Sequence, residues 1–207
     1  MDRRRPHISR GQSRAAPLGV LWALLVPLLL GADQPPEPRL YRGRTLQEYQ
    51  DLLEHGGPVE RRREATFDLH VFGAPAVPLL LRALKDPDLD VRLNAGISLG
   101  RIGAPALPAV LAALRDRDVL LRRGAALALD EMGPGAQSAL PDLARALRDD
   151  DRTVRYNAAN ALSKIGHPAV PTLQDALRDR NPYVRLDAAY ALGVMRPPAP
   201  EATPALT

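Results

Sequence analysis

The 207 residues are 45% hydrophobic but only 4% aromatic and contain no cysteine, which excludes disulfides, thiolate metal sites and cysteine nucleophiles and calls for a core of small aliphatic side chains, as closely packed helices provide. The formal net charge of +4 belongs to the N-terminus: residues 1–32 hold Arg3, Arg4, Arg5, Arg10 and Arg14 against Asp2, and removing these from 28 basic and 24 acidic residues leaves 23 of each. A neutral remainder gives little support to long-range attraction by polyphosphate, so nucleic acid is not an expected partner.

The first 32 residues have a basic stretch ending near Arg14, an apolar run from Leu18 to Leu30, and Gly31 and Ala32 before Asp33. A helix over that run would cover about 20 Å at roughly 1.5 Å per residue, short of the ~30 Å hydrocarbon core of a bilayer. The pattern predicts a signal peptide over 1–32, cleaved near Ala32, and hence a periplasmic or secreted chain. An uncleaved N-terminal anchor is the alternative, and the one route by which a membrane becomes a partner. Pro6 and His7 follow the three arginines where a twin-arginine signal needs apolar residues, so that signal is not expected. Residues 33–44, with Pro35, Pro36 and Pro38, form a proline-rich linker.

From residue 45 the chain repeats itself. Gly73-Ala-Pro-Ala-Val-Pro78 returns as Gly103-Ala-Pro-Ala-Leu-Pro108 and as Gly166-His-Pro-Ala-Val-Pro171, with Ala136-Gln-Ser-Ala-Leu-Pro141 a looser copy. The prolines 78, 108, 141 and 171 are spaced 30, 33 and 30, and so are Arg92, Arg122, Arg155 and Arg185. Two markers that shift together at one place establish a register. Within each unit a first helix is expected over residues such as Pro75–Lys85, with its prolines in the first turn, and a second over residues such as Leu89–Ile102, ended by Gly103. Asp86-Pro-Asp88, Asp116-Arg-Asp118, Asp149-Asp-Asp151 and Asp179-Arg-Asn181 read as the turns between, each supplying a cap for the second helix.

Counting back, Thr45-Leu-Gln-Glu48 is a capping box that opens an earlier unit, and Pro204 lies 33 beyond Pro171. The units are 45–72, 73–102, 103–132, 133–165 and 166–195, with a partial one over 196–207. No stretch alternates long enough to be a strand. A pair of helices cannot enclose a core alone, so the expected architecture is all-α: an armadillo-like α-solenoid, a right-handed superhelix of antiparallel pairs over 45–207.

Val154-Arg-Tyr-Asn-Ala-Ala-Asn-Ala-Leu162, together with the Gly-x-Pro-Ala-Val-Pro segments, resembles HEAT repeats of the short class also found in phycobilisome lyase subunits. The resemblance covers roughly residues 45–195. It implies a scaffold or adaptor that binds a protein; a lyase-like enzyme or an accessory subunit of an enzyme complex is the alternative. It brings no residues for chromophore chemistry.

Arg62, Arg92, Arg122, Arg155 and Arg185 recur once per unit and are expected to lock neighbouring units through acids such as Asp88, Asp118 and Asp151. Binding is expected where the units differ, on second-helix positions 93, 97, 100 and 101 and their equivalents, which point away from the Val91, Ala95, Ser98 and Ile102 face. The candidates for partner contact are Leu93, Arg123, Tyr156, Asn160, Lys164, Leu186 and Tyr190, aromatic and aliphatic residues beside cations, as protein interfaces use.

No catalytic, metal or cofactor site is expected. Gly96-Ile-Ser98-Leu-Gly100 spells a nucleophile elbow, but it falls within a helix, and Ser98 stands where other units carry Ala128, Ala161 and Ala191. His55, His70 and His167 have no partner at ligand spacing.

Overall fold

The computed structural model describes residues 39–55 and 57–195. The expected leader, the linker up to Pro38 and the partial sixth unit lie outside the described residues. Contacts divide the chain after Pro38, and the second unit holds all described residues.

The architecture is an all-α solenoid of helix pairs. They are α1 (Leu46–Glu54) with α2 (Val59–Asp68), α3 (Val77–Ala83) with α4 (Leu89–Ile102), α5 (Leu107–Leu114) with α6 (Val119–Met132), α7 (Leu140–Ala146) with α8 (Arg152–Ile165), and α9 (Val170–Ala176) with α10 (Pro182–Val194). No strand occurs among the described residues; one isolated bridge joins Tyr41 and Arg44.

Local chemistry sets the breaks. The Thr45 hydroxyl accepts from the Glu48 N–H, and the Glu48 carboxylate accepts from the Thr45 N–H, which starts α1. The units join at Gly73, Gly103, Gly133 and Gly166, whose φ values of +54° to +81° a side chain would strain. The expected single first helix is in fact split. Ala74–Ala76 form a separate 3-10 turn, and α3 begins only at Val77, because Pro78 has no N–H to give and its ring crowds the preceding turn. The three extra residues of the fourth unit are absorbed in a longer 3-10 segment, Gly133–Ala139.

The turn between helices is a recurring closed device. In the second unit the Asp86 carboxylate accepts from the Asp88 N–H at 2.9 Å, and Asp88 in turn caps α4 by accepting from the Val91 N–H. The same step joins Asp116 to Asp118, Asp149 to Asp151 and Asp179 to Asn181. These short side chains satisfy donors that a helix start leaves orphaned.

Second helices stack on one another down the array. Their contacts are built of alanine and glycine: Ala95, Ala125, Ala126, Ala128, Ala158, Ala159 and Ala161 are fully buried. Gly100, expected to point outward, is buried. A methyl group there would come within 2.4 Å of Glu131 Cβ and 2.8 Å of the Ala128 carbonyl, so the glycine is what lets α6 approach α4. Leucines fill the space between first and second helices. Leu80, Leu84, Leu99, Leu129, Leu143, Leu147, Leu162 and Leu173 are fully enclosed, each contributing about 1.5–3 kcal/mol of burial.

The N-terminal end of the stack is covered. Arg42 and Gly43 carry φ of +50° and +74°, and Tyr41 and Arg44 exchange backbone hydrogen bonds across them, as in a type I′ turn. Arg42 reaches the buried Asp68 carboxylate of α2 at 3.3 Å, and the Tyr49 hydroxyl bonds to both Asp68 and the Tyr41 carbonyl.

Candidate interaction face

The five recurrent arginines tie turns and neighbouring units together. Arg92, Arg122, Arg155 and Arg185 each donate through Nη1 to two carbonyls of their own inter-helix turn, as Arg155 does to Asp149 and Asp150 at 2.8 and 3.0 Å. Arg62 and Arg122 also reach forward, to Asp86 and Asp149 of the next unit, with two bonds each. Arg155 reaches Asp187 at 3.2 Å. The acids are therefore Asp86, Asp149 and Asp187, a correction to the expected Asp88, Asp118 and Asp151. Those three carboxylates face the other way, where they cap helices and pair with Arg63, Lys85 and Arg123. Each of these pairings holds the aspartate below the usual carboxylate range.

Of the candidate contact residues, Arg123 makes a two-point pair with Asp151 at 2.6 and 2.9 Å, so it offers a partner only its exposed flank. Leu93 borders a small notch with Leu89, Leu120 and Leu127 beside it. Leu186 is 64% exposed on α10 and lines neither this notch nor the larger cleft.

Tyr156, Asn160, Lys164 and Tyr190 converge. They line an open cleft of about 680 Å³ between the end of α6, α8 and α10. The Tyr156 and Tyr190 rings stack at 5.9 Å with 30° between their planes, and they are 47% and 42% exposed. The Asn160 side chain, then the Tyr190 hydroxyl, lowers the Tyr156 phenol below its ordinary pKa, and the same contact with Tyr156 raises Tyr190. Lys164 Nζ lies 2.9 Å from Asp130 Oδ1 and donates to the Asp130 carbonyl at 3.1 Å, an ammonium set at the negative end of α6. Asp130 Oδ1 is buried and forms its ion pair with that ammonium.

Asp130 is the residue of this cleft that the sequence pattern did not single out. It immediately precedes Glu131, which is the Lys164 equivalent one unit earlier, and that register was the available signal. Ser98 donates to the Thr66 and Phe67 carbonyls of α2 at 2.8 and 3.1 Å and is buried, so it packs and bonds within the stack. The ring nitrogens of His55 and His70 lie beside carbonyls of their own segments.

Stacked two-helix modules with a variable second-helix face define a helical repeat protein. The family description "HEAT repeats" matches residues 47–130, 107–193 and 154–207. The chain belongs to the HEAT-repeat family. Among solved structures it is similar to the complex of CpcE and CpcF of phycocyanin lyase from Nostoc sp. PCC7120, at 23% identity, a TM-score of 0.51, and coverage of 71% of this chain and 97% of that one. It is also similar to computationally designed armadillo repeat proteins for modular peptide recognition, at 18% identity, a TM-score of 0.42, and coverage of 72% and 81%. Among curated proteins none matches the sequence.

Proposed function

We propose that this HEAT-repeat chain is an interaction scaffold that holds a protein partner along the second-helix face, centred on the cleft beside α8 and α10. The carrying observation is the Tyr156–Tyr190 stack. Two large rings from neighbouring second helices stack on each other and still remain about half exposed. Aromatic rings beside hydrogen-bonding and charged groups such as Asn160 and Lys164 are the composition that concentrates binding energy at protein interfaces. Buried Val154, Ala158, Val184 and Ala188 seat α8 and α10 on the stack, so both rings are carried by packed helices.

The test is capture of partner by the full-length chain and by the Tyr156→Ala/Tyr190→Ala variant. Loss of a specific partner with unchanged helical circular dichroism supports the reading. Undiminished capture sinks it. The proposal includes export, on the basic, apolar and small-residue zones of residues 1–32; an intact N-terminus on the mature, soluble protein would count against that part.

A further inference from the structure

We propose that residues 197–206 seat on the end of α10 and cap it, in the manner in which residues 134–143 seat on the end of α6. The two stretches are copies at an offset of 63. Pro134, Ala136, Ala139, Pro141 and Leu143 return as Pro197, Ala199, Ala202, Pro204 and Leu206. The offset also takes in the helix ends before them, where Leu129 and Met132 match Leu192 and Met195.

The match falls where packing needs it. Ala136, Ala139 and Leu143 are fully buried, whereas Gln137 and Ser138 are exposed. The three buried residues recur, and the two exposed ones change to Pro200 and Glu201. One buried acid is lost. Asp142 bonds to Arg115 of the module before, but its counterpart is Ala205. Arg178, the counterpart of Arg115, accordingly finds among the described residues only Asp175 of its own helix, at 3.8 Å. The contact proposed is therefore apolar.

The receiving end has the matching gap. Residues 133–139 pack on α6, and Leu129 near its end is fully buried, as are Leu99 and Leu162 in the other modules. Leu192 is only partly buried. The join departs from the earlier ones: Met195 leaves α10 extended, at φ −60° and ψ 122°, where they bend at a glycine of positive φ. An arginine at 196 in place of that glycine then needs no left-handed backbone. Prolines at 197, 198, 200 and 204 reduce the freedom lost on seating. A link of two residues holds the segment at high effective concentration beside its seat, so a modest apolar contact suffices. The copied stretch stops short of a second helix, and it is second helices that cover Arg155 and Ala159, so the cap leaves the flank of Arg185 and Ala189 as it is.

The chain has no cysteine, so Thr207→Cys gives one attachment point for a nitroxide on the full-length protein. Amide signals of α9 and of the last turn of α10 are expected to broaden selectively. Leu206→Asp should abolish that pattern, and Glu201→Gln, at a place whose counterpart Ser138 is exposed, should keep it. In native-state hydrogen exchange, Leu206→Asp should speed the last-turn amides of α10 roughly tenfold while those of α4 and α6 hold their rates. Broadening without preference for α9 and α10, or exchange unmoved by Leu206→Asp, overturns the proposal. So does broadening passed from labelled to unlabelled chains in a mixture, which would make the occupant a second copy.

Discussion

The Ser98 hydroxyl on α4 donates to the Thr66 carbonyl of α2 at 2.8 Å, across two consecutive modules, in the last turn of α2 where a helix leaves its own carbonyls without partners. The role is adhesive. Ser98→Ala is expected to lower stability by about 1 kcal/mol, read as a lower urea midpoint at constant slope. An unchanged midpoint would mean that the bond contributes nothing net.

Glycine positions should separate sharply. Gly100→Ala forces a methyl group against Glu131 Cβ and the Ala128 carbonyl, and about 1–3 kcal/mol of destabilisation is expected from such overpacking. Gly135→Ala meets nothing within 4 Å and should leave the melting temperature near that of the wild type. Thermal melts of the two variants side by side check this.

The arginines of the recurrent row should not be equivalent. The Arg155 side chain is only 9% exposed and bonds to Asp187 as well as two carbonyls. Arg155→Ala strands a half-buried carboxylate and is expected to cost about 2–4 kcal/mol. Arg185 is exposed and, among the described residues, holds only its own turn, so Arg185→Ala should cost about 1 kcal/mol. Chemical denaturation that ranks them the other way would break this account.

Acid should loosen the stack. Asp88 is held low chiefly by Arg63, Asp118 by Lys85, Asp151 by Arg123, and Asp179 first by the Asn181 N–H and then by Arg148. A depressed folded pKa gives stability that is complete above the unfolded value and lost as pH falls toward the folded one. The melting temperature should therefore hold from pH 7 to about 5 and drop below about pH 4. The raised arginines and Lys85 work in the opposite sense, and their contribution persists through neutral pH. Asp88→Asn should lower the melting temperature at pH 7 and reduce its acid sensitivity, measured by a pH series of thermal melts.

The solenoid was legible in the sequence because each module buries the next, so the proline and arginine markers had to recur at one period. What the period does not carry is the rotation of each helix about its axis. Arg122 and Asp118 share the spacing, yet the guanidinium reaches Asp149 in the following module because Asp118 is turned toward its own helix start and Lys85. Gly100 was placed outside for the same reason. The convergence of Tyr156, Asn160, Lys164 and Tyr190 followed from two neighbouring second helices being variable at matching heights. Asp130 is set apart by its enclosure at the end of α6, which no linear pattern displays.

The turn over Tyr41–Arg44 packs on α1 and α2, whereas among the described residues the flank of Arg185, Ala189 and Gly193 on α10 is exposed where α8 buries Arg155 and Ala159. A helix with an exposed flank opens before helices packed on both sides. Amide hydrogens of α10 should accordingly exchange with solvent soonest and those of α4 and α6 latest. Tyr190 would then stand on a helix that opens more readily than the one carrying Tyr156, so local melting of α10 would part the two rings and dismantle the wall they form together.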